Sequence, residues 1–335
     1  MSPNQHLQFP PFRPHPLVRG GHLQTLAGVW WRGSDPSSGG QLEHAVRLPD
    51  GDELILHDDC PPDWESGNPT VLLVHGLGGC HRSSYMVRIA RKLSARGIRP
   101  FRLDLRGCGA GLMRCNQPYH AGRSDDVDAA ARFIEQLCPG SPNGVVGFSL
   151  GGNIVLKWLG ERGTELPGRL QVGMAVNPPI DLVASTRNIM RVARGLYDRH
   201  FVRILCAHVR RHPRWRLYGP LASIRTLPKR VVEFDEMFTA PLSGFRSALH
   251  YYEECSAQPL IPQIAVPTMV LTSADDPLIP VSMFTGVTQS SQVRLHVEPA
   301  GGHLGYVGAS GQDPDRYWMD WRVLDWMGHA LKRAA

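Results

Sequence analysis

Gly147-Phe148-Ser149-Leu150-Gly151 sets one hydroxyl between two glycines. The apolar pair Val145-Val146 precedes it and a helical run from Asn153 to Gly160 follows. A sharp strand-to-helix turn of this kind lifts a serine clear of a sheet, and flanking glycines leave room where a Cβ would meet neighbouring backbone. The helix start behind Ser149 adds positive potential for a developing oxyanion. A serine hydroxyl is a weak nucleophile, so it needs a base, and the base needs an acid to orient it. Both follow along the chain. Thr268 to Thr272 reads as a strand and leads into Asp275-Asp276-Pro277-Leu278-Ile279-Pro280; Val293 to Val297 reads as another and leads into Gly301-Gly302-His303. Each candidate stands at the carboxyl end of a predicted strand, where an open α/β sheet gathers its catalytic groups. Singly, the aspartates read as turn formers and His303 as a polar loop residue. Together with Ser149 they point to acyl transfer, with His303 as base and either Asp275 or Asp276 as the orienting acid. The glycine-rich loop His75-Gly76-Leu77-Gly78-Gly79 matches neither GxxxxGK[ST] nor GxGxxG, so it does not read as a phosphate cradle.

The elements that must position these groups are short apolar runs alternating with helices. Leu42 to Leu48 and Glu53 to His57 flank Asp50-Gly51 and read as a β-hairpin. Further strands are expected at Val71 to Val74, Pro100 to Asp104, Val145 to Phe148 and Val172 to Val176, besides the two already named. Tyr85 to Arg96 reads as a helix, as does the stretch to Leu137 opened by Ser124 as N-cap with Asp125 and Asp126 in an acidic first turn. A last helix, Asp315 to Lys332, carries Tyr317, Trp321, Leu324, Gly328 and Leu331 as its core stripe. This alternation is that of the α/β class, a mostly parallel central sheet with helices on both faces. Residues 1–40 are rich in Pro, His and Gly and read as an N-terminal arm; residues 41–177 and 268–335 form the core; residues 178–267, too long for a crossover, read as a helical cap insertion.

At 335 residues, 42% hydrophobic and 20% charged, the composition is that of one large globular unit and excludes disordered and collagen-like chains. No apolar run reaches the roughly 18 residues of a membrane span, and residues 1–16 lack a signal-peptide pattern, so a soluble, cytoplasmic protein is expected. Seven scattered cysteines without a CxxC pair, and no HExxH, imply neither a disulfide framework nor a metal site. Basic residues exceed acidic ones, 36 to 30, and nine arginines crowd between Arg187 and Arg216 against Asp198 alone. No nucleic-acid motif accompanies them, so no nucleic-acid partner is expected. If the segment is helical, Arg187, Arg191 and Arg194 share one face, as do Arg203, Arg210 and Arg214, with Leu196, Phe201, Val202, Ile204 and Leu205 between. Such an element reads either as a solvated basic face or as a cap that touches an anionic membrane.

Several longer stretches carry a resemblance: Arg19-Gly20-Gly21-His22-Leu23-Gln24-Thr25-Leu26, His75-Gly76-Leu77, Arg106-Gly107-Cys108-Gly109, Tyr119-His120, Gly147 to Asn153 with Lys157-Trp158-Leu159-Gly160, Asp235 with Thr239-Ala240-Pro241, Tyr251-Tyr252, Asp275-Asp276-Pro277 and Gly301-Gly302-His303. With these the chain resembles the YheT-like α/β-hydrolases, whose eukaryotic relatives are the ABHD-type lipid hydrolases. The resemblance implies an α/β-hydrolase fold and a Ser-Asp-His carboxylic ester hydrolase, in a family associated with acylglycerols, phospholipids or acyl transfer to alcohols. In such hydrolases the acid stands four residues before a proline, as Asp276 stands before Pro280, which favours Asp276 over Asp275. The loop after the strand Val71 to Val74 then supplies one oxyanion N–H, at Leu77, and Leu150 the second. His75 becomes a structural hydrogen-bonder, and Cys108 is no nucleophile. The implied reaction is hydrolysis of a small-molecule or lipid ester through an acyl-enzyme on Ser149, with no cofactor. Two other readings use the same residues: an acyltransferase in which an alcohol intercepts the acyl group, and a catalytically silent α/β-hydrolase-fold binding protein.

Overall fold

The computed structural model describes residues 7–30, 42–220, 227–288 and 290–332. Eight strands form one sheet in the order β1-β2-β4-β3-β5-β6-β7-β8. They are β1 (Leu42–Arg47), β2 (Glu53–Asp58), β3 (Thr70–Val74), β4 (Arg99–Asp104), β5 (Asn143–Phe148), β6 (Leu170–Val176), β7 (Thr268–Ser273) and β8 (Val293–Glu298). The Asp50-Gly51 turn joins β1 and β2 as an antiparallel hairpin, β2 meets β4 antiparallel, and every other pairing is parallel.

The interior strands are continuous apolar runs because both faces of the sheet are covered. Their period of two divides the core. Leu72, Val74, Val145 and Ala175 point into one cluster with Val127, Ala130 and Ile134 of α3 (Ser124–Leu137) and Ile154, Val155 and Trp158 of α4 (Leu150–Arg162). Val71, Leu73, Val146, Phe148 and Met174 point into the other with Met86, Ile89 and Leu93 of α2 (Ser84–Ser94) and with the last helix, Trp318–Lys332. That helix starts three residues later than its sequence suggests, and its core face is Met319, Val323, Trp326 and Met327 as well as Leu324 and Leu331. Tyr317 stays outside it, under the Arg88 guanidinium. Ser124 is the first residue of α3 and caps nothing; Arg123 holds the cap position. Asp126 turns inward to Arg106 instead of serving the helix end.

Between β6 and β7 the chain is mostly helical: α5 (Leu182–Arg191), α6 (Leu196–Arg211), α7 (Pro213–Tyr218), turns between Val231 and Leu242, and a helix at Ala248–Cys255. α5 and α6 are not one element. Ala193 and Arg194 adopt left-handed backbone at a kink, so Arg194 does not share the face of Arg187 and Arg191. The apolar side of α6 is also spent inward, with Val202, Leu205 and Val209 buried against Trp215, Phe234 and Phe238. The nine arginines are exposed. No helix among the described residues is long and apolar enough to cross a membrane.

Candidate active site

Ser149 closes the turn between β5 and α4 at φ 50°, ψ −120°. This left-handed backbone is strained for a serine and needs support on every side. A Cβ on Gly147 would come within 2.3 Å of the Gly151 carbonyl oxygen, and one on Gly151 within 2.4 Å of the His75 oxygen, so neither position admits a side chain. The Ser149 N–H donates to the Val176 carbonyl at 2.8 Å, which ties the turn to β6.

Two loops at the carboxyl ends of β7 and β8 reach this hydroxyl. His303 Nε2 lies 2.8 Å from Ser149 Oγ, and His303 Nδ1 lies 2.8 Å from Asp276 Oδ2. With Asp276 as an acceptor, the partners assign Nδ1–H to the aspartate and leave Nε2 to accept from the serine. Asp276 is saturated: Oδ2 also accepts from Asn177 Nδ2 at 2.7 Å, and Oδ1 accepts from the Leu278 and Ile279 amides at 2.8 and 3.0 Å. Asp275 faces elsewhere and accepts from the Gly302 N–H at 2.8 Å, bracing the loop that carries His303. Asn177, itself at φ 47°, is a partner that sequence reasoning missed. Its only signal was its place at the carboxyl end of β6.

A second brace comes from α1 (Gly21–Trp30). Thr25 Oγ1 accepts from the His303 N–H at 2.9 Å, and the buried Gln24 side chain donates to the Val18 and Val307 carbonyls and accepts from the Val307 N–H. The approach is backbone to backbone: a Cβ on Gly21 would sit 1.8 Å from the Asp275 oxygen and one on Gly302 2.4 Å from the Gly21 oxygen.

The loop after β3 lies against the serine, with a Cβ on Gly76 reaching 3.0 Å from Ser149 Cβ. Gly76 N–H donates to Tyr85 Oη and Gly78 N–H to Tyr119 Oη, both at 3.0 Å. Leu77 N–H, between them, has no acceptor among the described residues, and Leu150, first residue of α4, has no intrahelical acceptor for its own N–H. Ser149, His303, Leu77 and Leu150 border a cavity of about 110 Å³ whose remaining wall is mainly apolar, including Phe201, Leu205, Phe234, Phe238 and Leu278. One acid lines it. Asp235 sits in a π-helical turn, accepting from Tyr252 Oη at 2.6 Å and Thr239 Oγ1 at 2.7 Å, and burial pushes its carboxyl up to about 6.

The other sequence candidates hold structure. His75 is buried, with Nδ1 donating to the Gly76 oxygen and Nε2 accepting from the Leu105 amide; burial lowers its pKa. Burial drives the Cys108 thiol well above its ordinary value, which removes it as a nucleophile. Arg106 binds Asp50, Asp52 and Asp126, and a Cβ on Gly109 would strike the Asp104 carboxylate. His57, His81 and Asp104 form a group of metal-binding types. Its two imidazoles are stacked, with ring centres 3.4 Å apart and planes inclined by 20°, and both bond Asp104 Oδ2, at 3.0 and 2.6 Å. An ion shared between stacked rings would lie well outside both ring planes, whereas imidazole binds metals along its in-plane lone pair. The group is a hydrogen-bond node. Although burial works against it, donation from His57 and His81 holds Asp104 well below the usual carboxylate range.

The chain is similar to known proteins in sequence and fold. The profile of the alpha/beta hydrolase family matches residues 71–318. YheT of Escherichia coli (strain K12) is 29% identical over 287 residues, which cover 84% of this chain and 83% of that protein. The monoacylglycerol lipase of Saccharomyces cerevisiae is 26% identical, covering 82% of this chain but only 61% of the lipase. Among solved structures, the esterase Pf2001 of Pyrococcus furiosus superposes with a TM-score of 0.57 at 18% identity, covering 89% of this chain and 97% of that one, a likeness of fold.

Proposed function

The chain belongs to the alpha/beta hydrolase family, and from that premise we propose that it is a serine carboxylic ester hydrolase working through an acyl-enzyme. The observation that carries the reading is the unbroken relay from Ser149 Oγ through His303 to Asp276, with 2.8 Å at each link. His303 Nε2 takes the serine proton as Oγ attacks the ester carbonyl carbon. The oxyanion that forms is held by the unspent Leu77 and Leu150 N–H groups, and Asp276 steadies the imidazolium. His303 then gives its proton to the departing alcohol. In the second half a water loses a proton to the same nitrogen and attacks the acyl carbon; the bond to Ser149 Oγ breaks, His303 returns the proton to Oγ, and the acid leaves.

The mainly apolar cavity supports an acyl chain as its occupant, and the name of the yeast relative points the same way, to acylglycerols or other lipid esters. In this reading residues 178–267 act as the cap that walls the cavity and residues 1–40 as an arm. Ser149→Ala tests the mechanism. It should lower turnover of a soluble nitrophenyl ester at least about a thousandfold without loss of fold. A serine-directed phosphonate should label Ser149 alone, and turnover that survives the substitution ends the proposal.

A further inference from the structure

α1 is amphipathic in the wrong sense for a helix on the surface of a globular protein. Its inward face is Gln24 and Thr25 with Gly21 and Gly28, used for hydrogen bonds and close approach to the loops around His303. Leu23, Val29 and Trp30 lie outward, 52%, 58% and 75% exposed, with Leu26 and Ala27 half-buried in the same stripe. Leu17, just before the helix, is 84% exposed. Across a His22–Tyr197 hydrogen bond of 2.9 Å, with the two rings stacked, the patch meets Leu196, which is 61% exposed at the start of α6. Exposed apolar side chains gathered on one helix face point to a binding face, whereas isolated exposed leucines do not.

Charge decides the occupant. Arg19 precedes α1, and Arg191, Arg194 and Arg199 flank Leu196 and Tyr197; all four are exposed and none is ion-paired among the described residues. Apolar side chains ringed by unpaired guanidinium groups match an acyl layer under anionic headgroups. We propose that the outer face of α1, with the arginines beside it, docks the protein on an anionic lipid membrane. The apolar contact comes from α1, since the apolar side of α6 is buried in the protein. The inference does not depend on the reaction, and its test does not use turnover.

The test is co-sedimentation of the full chain with vesicles of phosphatidylcholine, with and without phosphatidylglycerol. At low salt the protein should bind the anionic vesicles and leave them as salt rises over a few hundred millimolar, roughly the range in which such attraction is screened. Leu23→Ser with Trp30→Ser, and separately Arg191→Glu with Arg199→Glu, should each weaken binding about tenfold or more, with thermal unfolding measured alongside to show that both variants fold. Equal binding to both vesicle types overturns the proposal, as does anionic binding that survives the Leu23 and Trp30 changes. So does a dimer that those changes split, which would give the face to a second copy of the chain.

Discussion

Replacing Asp276 by asparagine keeps the size of the side chain and removes two acceptor sites. The structure shows why that matters more than a lost charge. Four donors converge on this carboxylate, two on each oxygen. If the asparagine oxygen stays with the Leu278 and Ile279 amides, its NH₂ points at His303 Nδ1 and Asn177 Nδ2. The imidazole then relieves the clash by moving its proton to Nε2, where it faces Ser149 as a donor and can no longer act as the base. An exchange of tautomer of this kind costs on the order of ten-thousandfold in turnover, about 5 kcal/mol of transition-state stabilisation. Asp275→Asn is the control. The Gly302 N–H that Asp275 holds needs only an acceptor, and the amide oxygen supplies one, so the loss should stay within about tenfold. Initial rates on a soluble nitrophenyl ester at matched pH, with circular dichroism to check folding, give the comparison. Equal losses, or the larger one at Asp275, would refute the assignment of the orienting role to Asp276.

Tyr119→Phe keeps the ring in the cavity wall and removes the oxygen that accepts from Gly78 N–H, so the loop carrying Leu77 should loosen. About a tenfold fall in kcat with little change in KM is expected, and an unchanged kcat would mean that the loop holds without it. Asp235 has a folded pKa of about 6, raised by burial above its ordinary value of 3.8. The folded state therefore keeps the proton longer than the unfolded chain, and stability declines as pH rises from about 4 to about 6, by on the order of 3 kcal/mol. Urea unfolding of Asp235→Asn should show no such decline; parallel curves for variant and parent across that window would contradict the burial argument.

The sheet was readable from sequence because buried parallel strands are written as short apolar runs. The interior strands appear where such runs stand, and the hairpin of β1 and β2 was marked by its Asp50-Gly51 turn. Ser149, His303 and the two aspartates were nameable for a related reason: each follows a strand, and the carboxyl edge of a sheet is one place. What sequence could not supply was direction. Asp275 and Asp276 are neighbours of one type that spacing alone left open; the resemblance favoured Asp276, and the folded loop has Asp276 facing His303 and Asp275 facing Gly302. Asp126 looked like part of a helix start, yet a buried arginine 20 residues away claimed it. The kink at Ala193 and Arg194 carries no proline to announce it. α1 lay within the stretch read as an arm, because the residues that face inward are polar and serve backbone groups nearly three hundred positions away.

That distance bears on how the protein comes to life on the ribosome. Gln24 and Thr25 find their partners at Val307 and His303, 283 and 278 residues later in the chain. At synthesis rates of about 5–20 residues per second, α1 waits on the order of tens of seconds for the segment it must grip. During that interval Gln24 and Thr25 have only the nearby Val18 and Gly21 carbonyls to bond, and their contacts with the His303 loop are still missing. α1 and the His303 loop must close on each other across that span before the brace on His303 is in place.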